Sequence, residues 1–370
     1  MDLFVVIFFV AGFTQLCFLA MLLTAFARKR TPPATTDPKP VSLIVCAHDE
    51  EQNLRQLLPL LMAQAYDHFE VIVVEDRSND GSYDYLLEAT QHYPNLKMVR
   101  ITSKPEHING KKFALTLGIK AAKYEMVLLT DADCRPKGKH WVQEMMSRFG
   151  ENTSIVLGYS PHVKLNGMLN AFIRFEGLLT GIQYIGFALL GRPYMGVGRN
   201  VAYRKSLFLD NKGFNGHQTI TGGDDDLFIN AHASKFNTAV SIGKKALVYT
   251  IPERAWREFY IQKLRHLSVG RFYKFSDRVV LGMFMVSWLL FWLAVGPAAL
   301  VNEPWAHHGI VGLLLARWIF LISLFHSASR KMGDPFEAWK VPFLDIIYTI
   351  YYLVTGLSAL KSKRIRWKRI

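Results

Sequence analysis

The sequence predicts an α/β domain with a mostly parallel sheet, placed between helices that cross a membrane. Short apolar runs alternate with stretches whose leucines recur at helical spacing, a pattern typical of parallel strands buried on both faces. Acidic residues follow several of these runs, as they do at the ligand-binding edge of open α/β sheets. Long uncharged stretches near both ends of the chain predict the membrane helices.

Residues 1–30 predict a transmembrane helix. Leu3 to Phe26 contains no charged residue and is long enough to cross a hydrocarbon core of about 30 Å. A cleaved signal peptide is the competing interpretation, but the apolar stretch is too long and no basic region precedes it. Arg28, Lys29 and Arg30 place the following residues in the cytoplasm, because cytoplasmic flanks of membrane helices are enriched in cations.

A Pro- and Thr-rich linker at 31–40 leads into a predicted soluble domain at 41–275. The domain opens with a strand, a helix and a strand, followed by further helices and strands in alternation. These predicted elements are the strands Val41 to Ala47, Val71 to Val74, Lys97 to Ile101 and Met126 to Thr130, and the helices Glu50 to Ala65, Ser82 to Tyr93 and Lys111 to Tyr124. Such alternation predicts a parallel sheet with right-handed crossovers.

Residues 166–190 are apolar apart from Arg174 and Glu176, whose charges argue against a span. We expect one or two amphipathic helices at the membrane surface there, and a buried core helix is the alternative.

Residues 276–370 contain the remaining apolar stretches. Val279 to Leu300 predicts a span, and Ile310 to Phe325 predicts another in which Arg317 faces protein, water or lipid phosphate, because a charge at mid-membrane costs roughly 2.5 to 3.5 kcal/mol or more. Val341 to Leu360 predicts an interfacial or re-entrant segment, since a span would put the basic terminus outside. The expectation is therefore three spans, with four as the alternative.

The formal charge of +14 does not predict nucleic-acid binding. The basic residues crowd beside apolar stretches, which favours anionic lipid headgroups, and no nucleic-acid-binding pattern is present. Cys17, Cys46 and Cys134 lack metal-ligand spacing and build no disulfide framework, as expected for a reducing compartment.

Asp131 and Asp133 directly follow the apolar run Met126 to Thr130. At the end of a buried strand, these carboxylates can contact a Mg²⁺ or Mn²⁺ ion that bridges a diphosphate. A pair that caps a helix is the alternative interpretation.

Seven stretches of the sequence form an ordered set: VSLIVCAHDEEQNL, VIVVEDRSNDGS, GKKFAL, TDADC, YMGVGRNVAYR, GGDDDLF and QKLRH. Together they resemble the membrane-bound members of glycosyltransferase family 2, including ceramide glucosyltransferases and polysaccharide synthases. The resemblance covers Val41 to Arg271 and implies the GT-A fold, which is Rossmann-like with a mostly parallel sheet.

The resemblance also implies site residues. The donor-binding positions that match are Ala47, Asp49, Glu50, Glu75, Asp76, Lys111, Asp131 and Arg265, and the metal-binding pair is Asp131 and Asp133. Asp49 stands where the family commonly has Asn, and Glu75 stands where it has a second Asp. Asp76 matches the acid that recognises the uracil side of the donor, which favours a UDP-sugar.

For catalysis, the family pattern places the base at Asp224, or at Asp225 if the register differs by one, and puts Gly223 where Glu is usual. A neighbouring carboxylate is expected to keep the proton affinity of the base high. Gly198, Asn200 and Gln262 match acceptor-side positions, and His266 replaces the usual Trp after Arg265.

The sequence thus predicts an inverting, metal-dependent hexosyltransferase that acts on a lipid-linked or membrane-associated acceptor in cell envelope glycan biosynthesis. It would be an integral membrane protein, of the inner membrane if bacterial, with a cytoplasmic catalytic domain. A processive polysaccharide synthase and a non-catalytic membrane scaffold are the alternatives.

Overall fold

The computed structural model describes residues 2–28, 39–106 and 108–361. Most of the predicted linker and the basic residues after Lys361 lie outside this range. The described residues form two compact units. The sheet unit comprises residues 39–163 and 187–252, and the apolar unit comprises residues 2–28, 164–186 and 253–361. The limits predicted for the soluble domain, 41 and 275, therefore differ from those of the sheet unit.

Within the described residues, the helices are α1 (Leu3–Ala27), α2 (Glu51–Met62), α3 (Ser82–His92), α4 (Gly110–Ala121), α5 (Trp141–Met146), α6 (Met168–Leu189), α7 (Lys205–Asp210), α8 (Asp226–His232), α9 (Trp256–Val269), α10 (Phe275–Ala299), α11 (Pro304–Met332) and α12 (Val341–Lys361). The strands are β1 (Val41–Ala47), β2 (Phe69–Asp76), β3 (Leu96–Ile101), β4 (Met126–Asp131), β5 (Cys134–Pro136), β6 (Ile155–Gly158), β7 (Val201–Arg204), β8 (Thr238–Ser241) and β9 (Val248–Thr250).

The main sheet of the sheet unit has the strand order β3-β2-β1-β4-β7-β6-β8 in the described part of the chain. The strands β3, β2, β1 and β4 are parallel, and β7 is antiparallel to both β4 and β6. The predicted mostly parallel sheet is confirmed, whereas the antiparallel β7 and the separate β5-β9 pair were not predicted.

Helix α4 lies very close to the sheet because it carries Gly118 at the contact. A Cβ atom at Gly118 would stand only 2.7 Å from Ile44 Cγ2 and 2.9 Å from Val74 Cγ2. No larger side chain fits there without displacing β1 or β2. The glycine therefore allows the last turns of α4 to lie close to β1 and β2.

The apolar unit contains the membrane candidates. Among the described residues, helices at Leu3–Ala27, Phe275–Ala299, Pro304–Met332 and Ala338–Ser358 are long and apolar enough to cross a membrane. Helix α1 packs on α10, where Gln15 Nε2 donates to Phe284 O at 2.9 Å and Phe8 stacks on Phe291. The continuous last helix favours the four-span alternative over the expected interfacial segment.

Helix α6 is one continuous helix, and most of it belongs to the apolar unit. Its residues Phe172 and Phe175 are fully buried, and Phe175 stacks on Phe325 of α11 with ring centroids 4.8 Å apart. Arg174 pairs with Asp334 at 3.3 Å. This packing favours the buried-helix alternative over a helix lying at the membrane surface.

Arg317 is fully buried, as is its partner Asp345 on α12. Arg317 Nη2 donates to Asp345 Oδ1 at 3.1 Å, and the guanidinium lies 4.6 Å from the ring centroid of Trp288. The arginine therefore faces protein, one of the environments that its position in an apolar helix predicts.

Candidate active site

The carboxyl ends of β2, β1 and β4 are neighbours at one edge of the main sheet. The register pairs Ala47 with Glu75 and Cys46 with Asp131, so the three loops that follow these strands start at the same level. Ligands of open α/β sheets bind at this edge. The sequence-predicted residues from Ala47 to Asp131 are therefore brought together by the strand order.

The loops after β1 and β2 are fastened to each other. Asp49 N donates to Ser78 Oγ at 3.1 Å, and Asn79 N donates to Asp49 Oδ1 at 2.6 Å. Glu50 N also donates to Ser82 Oγ at 3.0 Å. Asp49 has φ +56°, a left-handed conformation that Asp and Asn adopt more readily than most residues. The left-handed backbone conformation thus gives a reason for Asn or Asp at this position.

Glu75 supports this edge from inside the protein. It is only 2% exposed, and it accepts a hydrogen bond from Ser78 N at 2.6 Å and lies 3.8 Å from Arg100. Asp76 pairs with Arg77 at 2.7 Å. Ala47, the last residue of β1, is 1% exposed.

Gly110, the first residue of α4, lies against Asp76. A Cβ atom at Gly110 would stand 3.2 Å from Asp76 Oδ2. The amino end of α4 therefore lies beside the predicted base-recognition acid, and backbone N–H groups at a helix amino end attract anions.

Lys111 connects two of the predicted site residues. Its Nζ lies 3.0 Å from Asp131 Oδ1 and 3.2 Å from Asp224 Oδ2. Burial lowers the pKa of Lys111, but Asp131 and Asp224 raise it more, so its pKa lies well above the ordinary value. The lysine therefore carries a positive charge between the predicted metal-binding carboxylate and the predicted base.

Asp224 and Asp225 have different surroundings. Burial raises the pKa of Asp224, but the charge and hydrogen bond of Lys111, a backbone hydrogen bond and the charge of Lys112 together outweigh burial, and the pKa of Asp224 lies below its ordinary value. Burial, and then the charge of Asp224, raise the pKa of Asp225. The expectation that a neighbouring carboxylate keeps the proton affinity of Asp224 high is thus wrong for this state, because the charges of Lys111 and Lys112 and the hydrogen bonds lower its pKa.

Both carboxylate oxygens of Asp225 accept hydrogen bonds from backbone N–H groups. Its Oδ2 accepts from Gly198 N, and its Oδ1 accepts from Asp226 N at 2.8 Å at the start of α8. A Cβ atom at Gly198 would stand 3.2 Å from Asp225 Oδ2, which explains a glycine at that position. Asp225 thus joins two loops, while Asp224 is held by Lys111.

Gly222 and Gly223 lead into these aspartates with φ of +83° and +73°. A glutamate in this left-handed conformation would be strained. Gly223, which stands where Glu is usual, therefore suits the left-handed backbone conformation at this position.

Asp133 is suited to a hard cation. Burial, and then the charge of Asp131, raise the pKa of Asp133, and Arg199 lowers it. Thr250 Oγ1 donates to Asp133 Oδ2 at 3.3 Å. Across the residues that the structure describes, no group of three or more His, Cys, Asp or Glu side chains could hold a metal ion. Asp131 and Asp133 supply carboxylate oxygens, the ligand type that Mg²⁺ and Mn²⁺ prefer.

Of the predicted acceptor residues, Gly198 and Asn200 belong to the sheet unit and Gln262 to the apolar unit. Asn200 is fully buried, accepts from Trp141 Nε1 at 2.9 Å and donates to Tyr159 O and Ala246 O. Its side chain is therefore used inside the protein, and its expected contact with an acceptor stays a prediction. Gln262 and Arg265 lie on α9 in the apolar unit, where Gln262 Nε2 donates to Glu253 Oε1 at 3.3 Å.

Two supporting residues were missed by the sequence analysis. Arg135 Nη1 donates to Ala132 O and Cys134 O, and its Nη2 donates to Asn53 Oδ1 at 2.8 Å, so it fastens the Asp131–Asp133 loop to α2. Lys112 is 1% exposed, and its Nζ donates to His217 O at 2.6 Å and Ile220 O at 2.9 Å. Lys112 directly follows Lys111 in the sequence and Arg135 stands two positions after Asp133, which was the available signal.

Comparison with protein families matches two sequence profiles. The profile described as Glycosyl transferase family 2 matches residues 42–210, and that of Glycosyl transferase family group 2 matches residues 159–326. The two matches overlap and together cover most of the chain.

Three curated proteins illustrate the similarity. The probable glycosyltransferase YdaM of Bacillus subtilis is 25% identical over 316 residues, 79% of this chain and 68% of that protein. The undecaprenyl-phosphate 4-deoxy-4-formamido-L-arabinose transferase of Aeromonas hydrophila is 32% identical over 101 residues, 26% of this chain and 30% of that protein. The human dolichyl-phosphate beta-glucosyltransferase is 30% identical over 125 residues, 30% of this chain and 37% of that protein. The matches thus span about two thirds of the first relative and less than half of the others.

Among solved structures, the chain is similar to the mannosyltransferase PcManGT from Pyrobaculum calidifontis, in complex with GDP-Man and Mn²⁺. The TM-score is 0.60 at 17% identity, and the match covers 98% of this chain and 99% of that chain. At this identity the likeness concerns the fold. The predicted GT-A fold with apolar helices at both ends is confirmed.

Proposed function

The chain belongs to glycosyl transferase family 2, and we propose that it moves a sugar from a UDP-sugar to a hydroxyl of a lipid-linked or membrane-associated acceptor, with inversion. The observation that carries this proposal is the position of Lys111, whose ammonium is within 3.2 Å of both Asp131 and Asp224. The Lys111 ammonium thus contacts both Asp131, which is proposed for the side of the leaving diphosphate, and Asp224, which is proposed for the side of the attacking hydroxyl.

The donor would bind across the carboxyl ends of β1, β2 and β4. Asp76 would contact the base, and the backbone of the loop at Ala47, Asp49 and Glu50 would contact the nucleoside. The fastening of this loop to Ser78 and Asn79 supports a preformed site. Lys111 and the amino end of α4 supply positive potential for the diphosphate. Glu75 would act only by holding Ser78 in place.

Asp131 and Asp133 would hold a Mg²⁺ or Mn²⁺ ion together with the donor diphosphate. Such an ion, when bound, neutralises negative charge on a departing phosphate group. The oxygen-only donor set and the raised pKa of Asp133 support this assignment, because a nearby cation would stabilise its charged form. Arg135 would keep the two carboxylates in place through its hydrogen bonds to Ala132 O and Cys134 O.

Asp224 would act as the base. Its carboxylate takes the proton of the acceptor hydroxyl, the hydroxyl oxygen forms a bond to the anomeric carbon, and the bond from that carbon to the diphosphate breaks on the opposite side. A single displacement of this kind inverts the configuration. Asp225 is the weaker candidate because both of its oxygens already accept backbone N–H groups. Movement of Lys111 from Asp224 towards the diphosphate would raise the proton affinity of the base.

The acceptor and the location are proposed from the apolar helices. Four helices long enough to span, with Arg28 after the first, support an integral membrane protein whose sheet unit is cytoplasmic. Undecaprenyl-phosphate and dolichyl-phosphate appear in the names of two relatives, which supports a lipid acceptor. Gln262, Arg265 and Gly198 would contribute on the acceptor and diphosphate sides. If the source is bacterial, the membrane is the inner membrane and the product a cell envelope glycan.

A processive polysaccharide synthase is the second candidate. A poly-beta-1,6-N-acetyl-D-glucosamine synthase of Staphylococcus epidermidis is 29% identical over 93 residues, 25% of this chain. His266 stands in place of the sugar-stacking Trp of that motif, which disfavours repeated addition. A scaffold without activity is disfavoured by the Lys111 contacts.

The proposal is tested by donor turnover. The detergent-purified protein is given a panel of UDP- and GDP-sugars with Mn²⁺ or Mg²⁺ and a membrane-lipid extract, and the released nucleoside diphosphate is measured. We expect metal-dependent release from a UDP-sugar and one sugar per acceptor. Asp131→Asn should abolish release, whereas the matched control Asp210→Asn, at an exposed position of α7, should not. Equal turnover in both variants would contradict the proposed site.

A further inference from the structure

The segment between α9 and α10 carries exposed cations and exposed aromatic rings in close alternation. Arg271, Lys274 and Arg278 are exposed, and so are Phe272 and Phe275, with 41% and 72% of their surfaces accessible. We name these five residues the basic-aromatic belt. It leads directly into α10, one of the helices long and apolar enough to span a membrane.

The two arginines of the belt lie on its aromatic rings. The Arg271 guanidinium is 4.7 Å from the ring centroid of Phe272, and that of Arg278 is 5.6 Å from the ring of Phe275. Among the residues that the structure describes, neither Arg271 nor Arg278 is in an ion pair with a carboxylate. These two charges are therefore available to an external anion.

An exposed phenylalanine is unfavourable in water but favourable at the boundary of lipid headgroups and acyl chains. Arginine and lysine at that depth reach lipid phosphates, and clustered cations beside a membrane helix bind anionic leaflets. A phosphate ion alone would account for the cations but not for the two exposed rings. The continuity of the belt with α10 puts it at headgroup depth if α10 spans.

We propose that the basic-aromatic belt is a binding surface for anionic phospholipid headgroups. Phe272 and Phe275 insert between lipids, and Arg271, Lys274 and Arg278 contact their phosphates. The surface lies outside the residues proposed for donor binding and catalysis. Its role is to fix the level of α9 and α10 at the anionic cytoplasmic leaflet, and it requires only that α10 spans, whichever reaction the sheet unit performs.

The test measures bound lipid on the full chain. The protein is reconstituted in nanodiscs of equimolar phosphatidylglycerol and phosphatidylcholine, and the ratio of the two lipids that stay bound after extraction is measured by native mass spectrometry. In the variant Arg271→Gln/Lys274→Gln/Arg278→Gln, we expect this ratio to fall by at least about fivefold, the contribution of one interfacial cation. Inorganic phosphate should not displace the phosphatidylglycerol.

The matched control removes three exposed cations from the sheet unit: Lys235→Gln/Lys244→Gln/Lys245→Gln. It should keep the wild-type ratio, and an equal fall in both variants would overturn the proposal because total charge would then be the cause. Phe272→Ser/Phe275→Ser should lower the binding of both lipids alike, since ring insertion does not distinguish headgroups.

Two further measurements keep the test decisive. If the triple variant does not fold, the wild-type protein is studied at rising salt, where the lipid ratio should fall because salt screens exposed charges; an unchanged ratio overturns the proposal. Donor turnover of the triple variant in detergent should equal that of the wild type, which separates failure here from failure of the proposed function. The proposal would also be overturned if the belt bound an acidic peptide and showed no preference for phosphatidylglycerol over phosphatidylcholine.

Discussion

Replacing Arg317 by leucine should destabilise the apolar unit strongly. Arg317 and Asp345 are both fully buried, and Asp345 also accepts from Trp318 Nε1 at 3.3 Å and Trp292 Nε1 at 3.4 Å. Without Arg317, the carboxylate keeps only the two indole N–H groups. Removing one partner of a buried ion pair typically costs about 3 to 5 kcal/mol, because a charge is left buried without compensation.

The double variant Arg317→Leu/Asp345→Leu provides the matched comparison. It removes both charges and leaves apolar side chains among Trp288, Phe291 and Trp292, so we expect its stability to be close to that of the wild type. The loss in the single variant should therefore be mostly recovered.

Reversible unfolding in mixed detergent micelles measures these differences in the free energy of unfolding. The single variant should lose at least about 2 kcal/mol relative to the double variant, because the double variant itself loses about 1 kcal/mol when Trp292 and Trp318 no longer have Asp345 as acceptor. Equal stability of the single and double variants would refute the reasoning, because Asp345 would then not need Arg317. Such a result would also remove the physical reason for a charged residue in α12.

Three other predictions concern the sheet unit. Lys111→Met removes a charge that lowers the pKa of Asp224, so the acidic limb of the kcat/KM pH profile should move to higher pH. An acidic limb that stays in place would argue against Asp224 as the base. Lys112→Met leaves His217 O and Ile220 O without their donor and should lower the free energy of unfolding by about 2 to 3 kcal/mol, measured by thermal or denaturant unfolding. The control Lys120→Met, at an exposed position of the same helix, should change the free energy of unfolding little. Asp133→Asn should weaken Mn²⁺ binding at least about tenfold in electron paramagnetic resonance of the donor-free protein, and undiminished binding would exclude Asp133 as a ligand.

The parallel half of the sheet was predictable because its sequence has strong local patterns. The apolar runs at Val41–Ala47 and Met126–Asp131 are continuous, and the leucines of α2 recur at helical spacing. The strands β6, β7 and β8 have only four residues each, too few for a period to distinguish them from loops. The antiparallel pairing of β7 with β4 and β6, and the parallel pairing of β6 with β8, join distant segments of the chain and have no local sequence signal.

The candidate site was predictable in its carboxylates but not in its charge balance. Asp131, Asp133 and Asp224 stand at recognisable positions, whereas the contact of Lys111 with both Asp131 and Asp224 joins residues more than a hundred positions apart. The buried surroundings of Asn200 were not predictable for a similar reason, because only the fold brings Trp141 and Ala246 to its side chain. Burial of α6 against α11 likewise needed the tertiary structure.

The assignment of Asp224 as the base is the central claim, and the most direct measurement compares Asp224→Asn with Asp225→Asn in single-turnover transfer to the lipid acceptor. Both variants remove one negative charge from the same loop. We predict that Asp224→Asn loses at least about a hundredfold in the rate of transfer while the affinity for the donor is kept, a loss typical of a missing general base. Asp225→Asn should retain more of its transfer rate and lose stability instead, because its carboxylate binds Gly198 N and Asp226 N. Transfer that survives in Asp224→Asn and disappears in a folded Asp225→Asn would contradict the account.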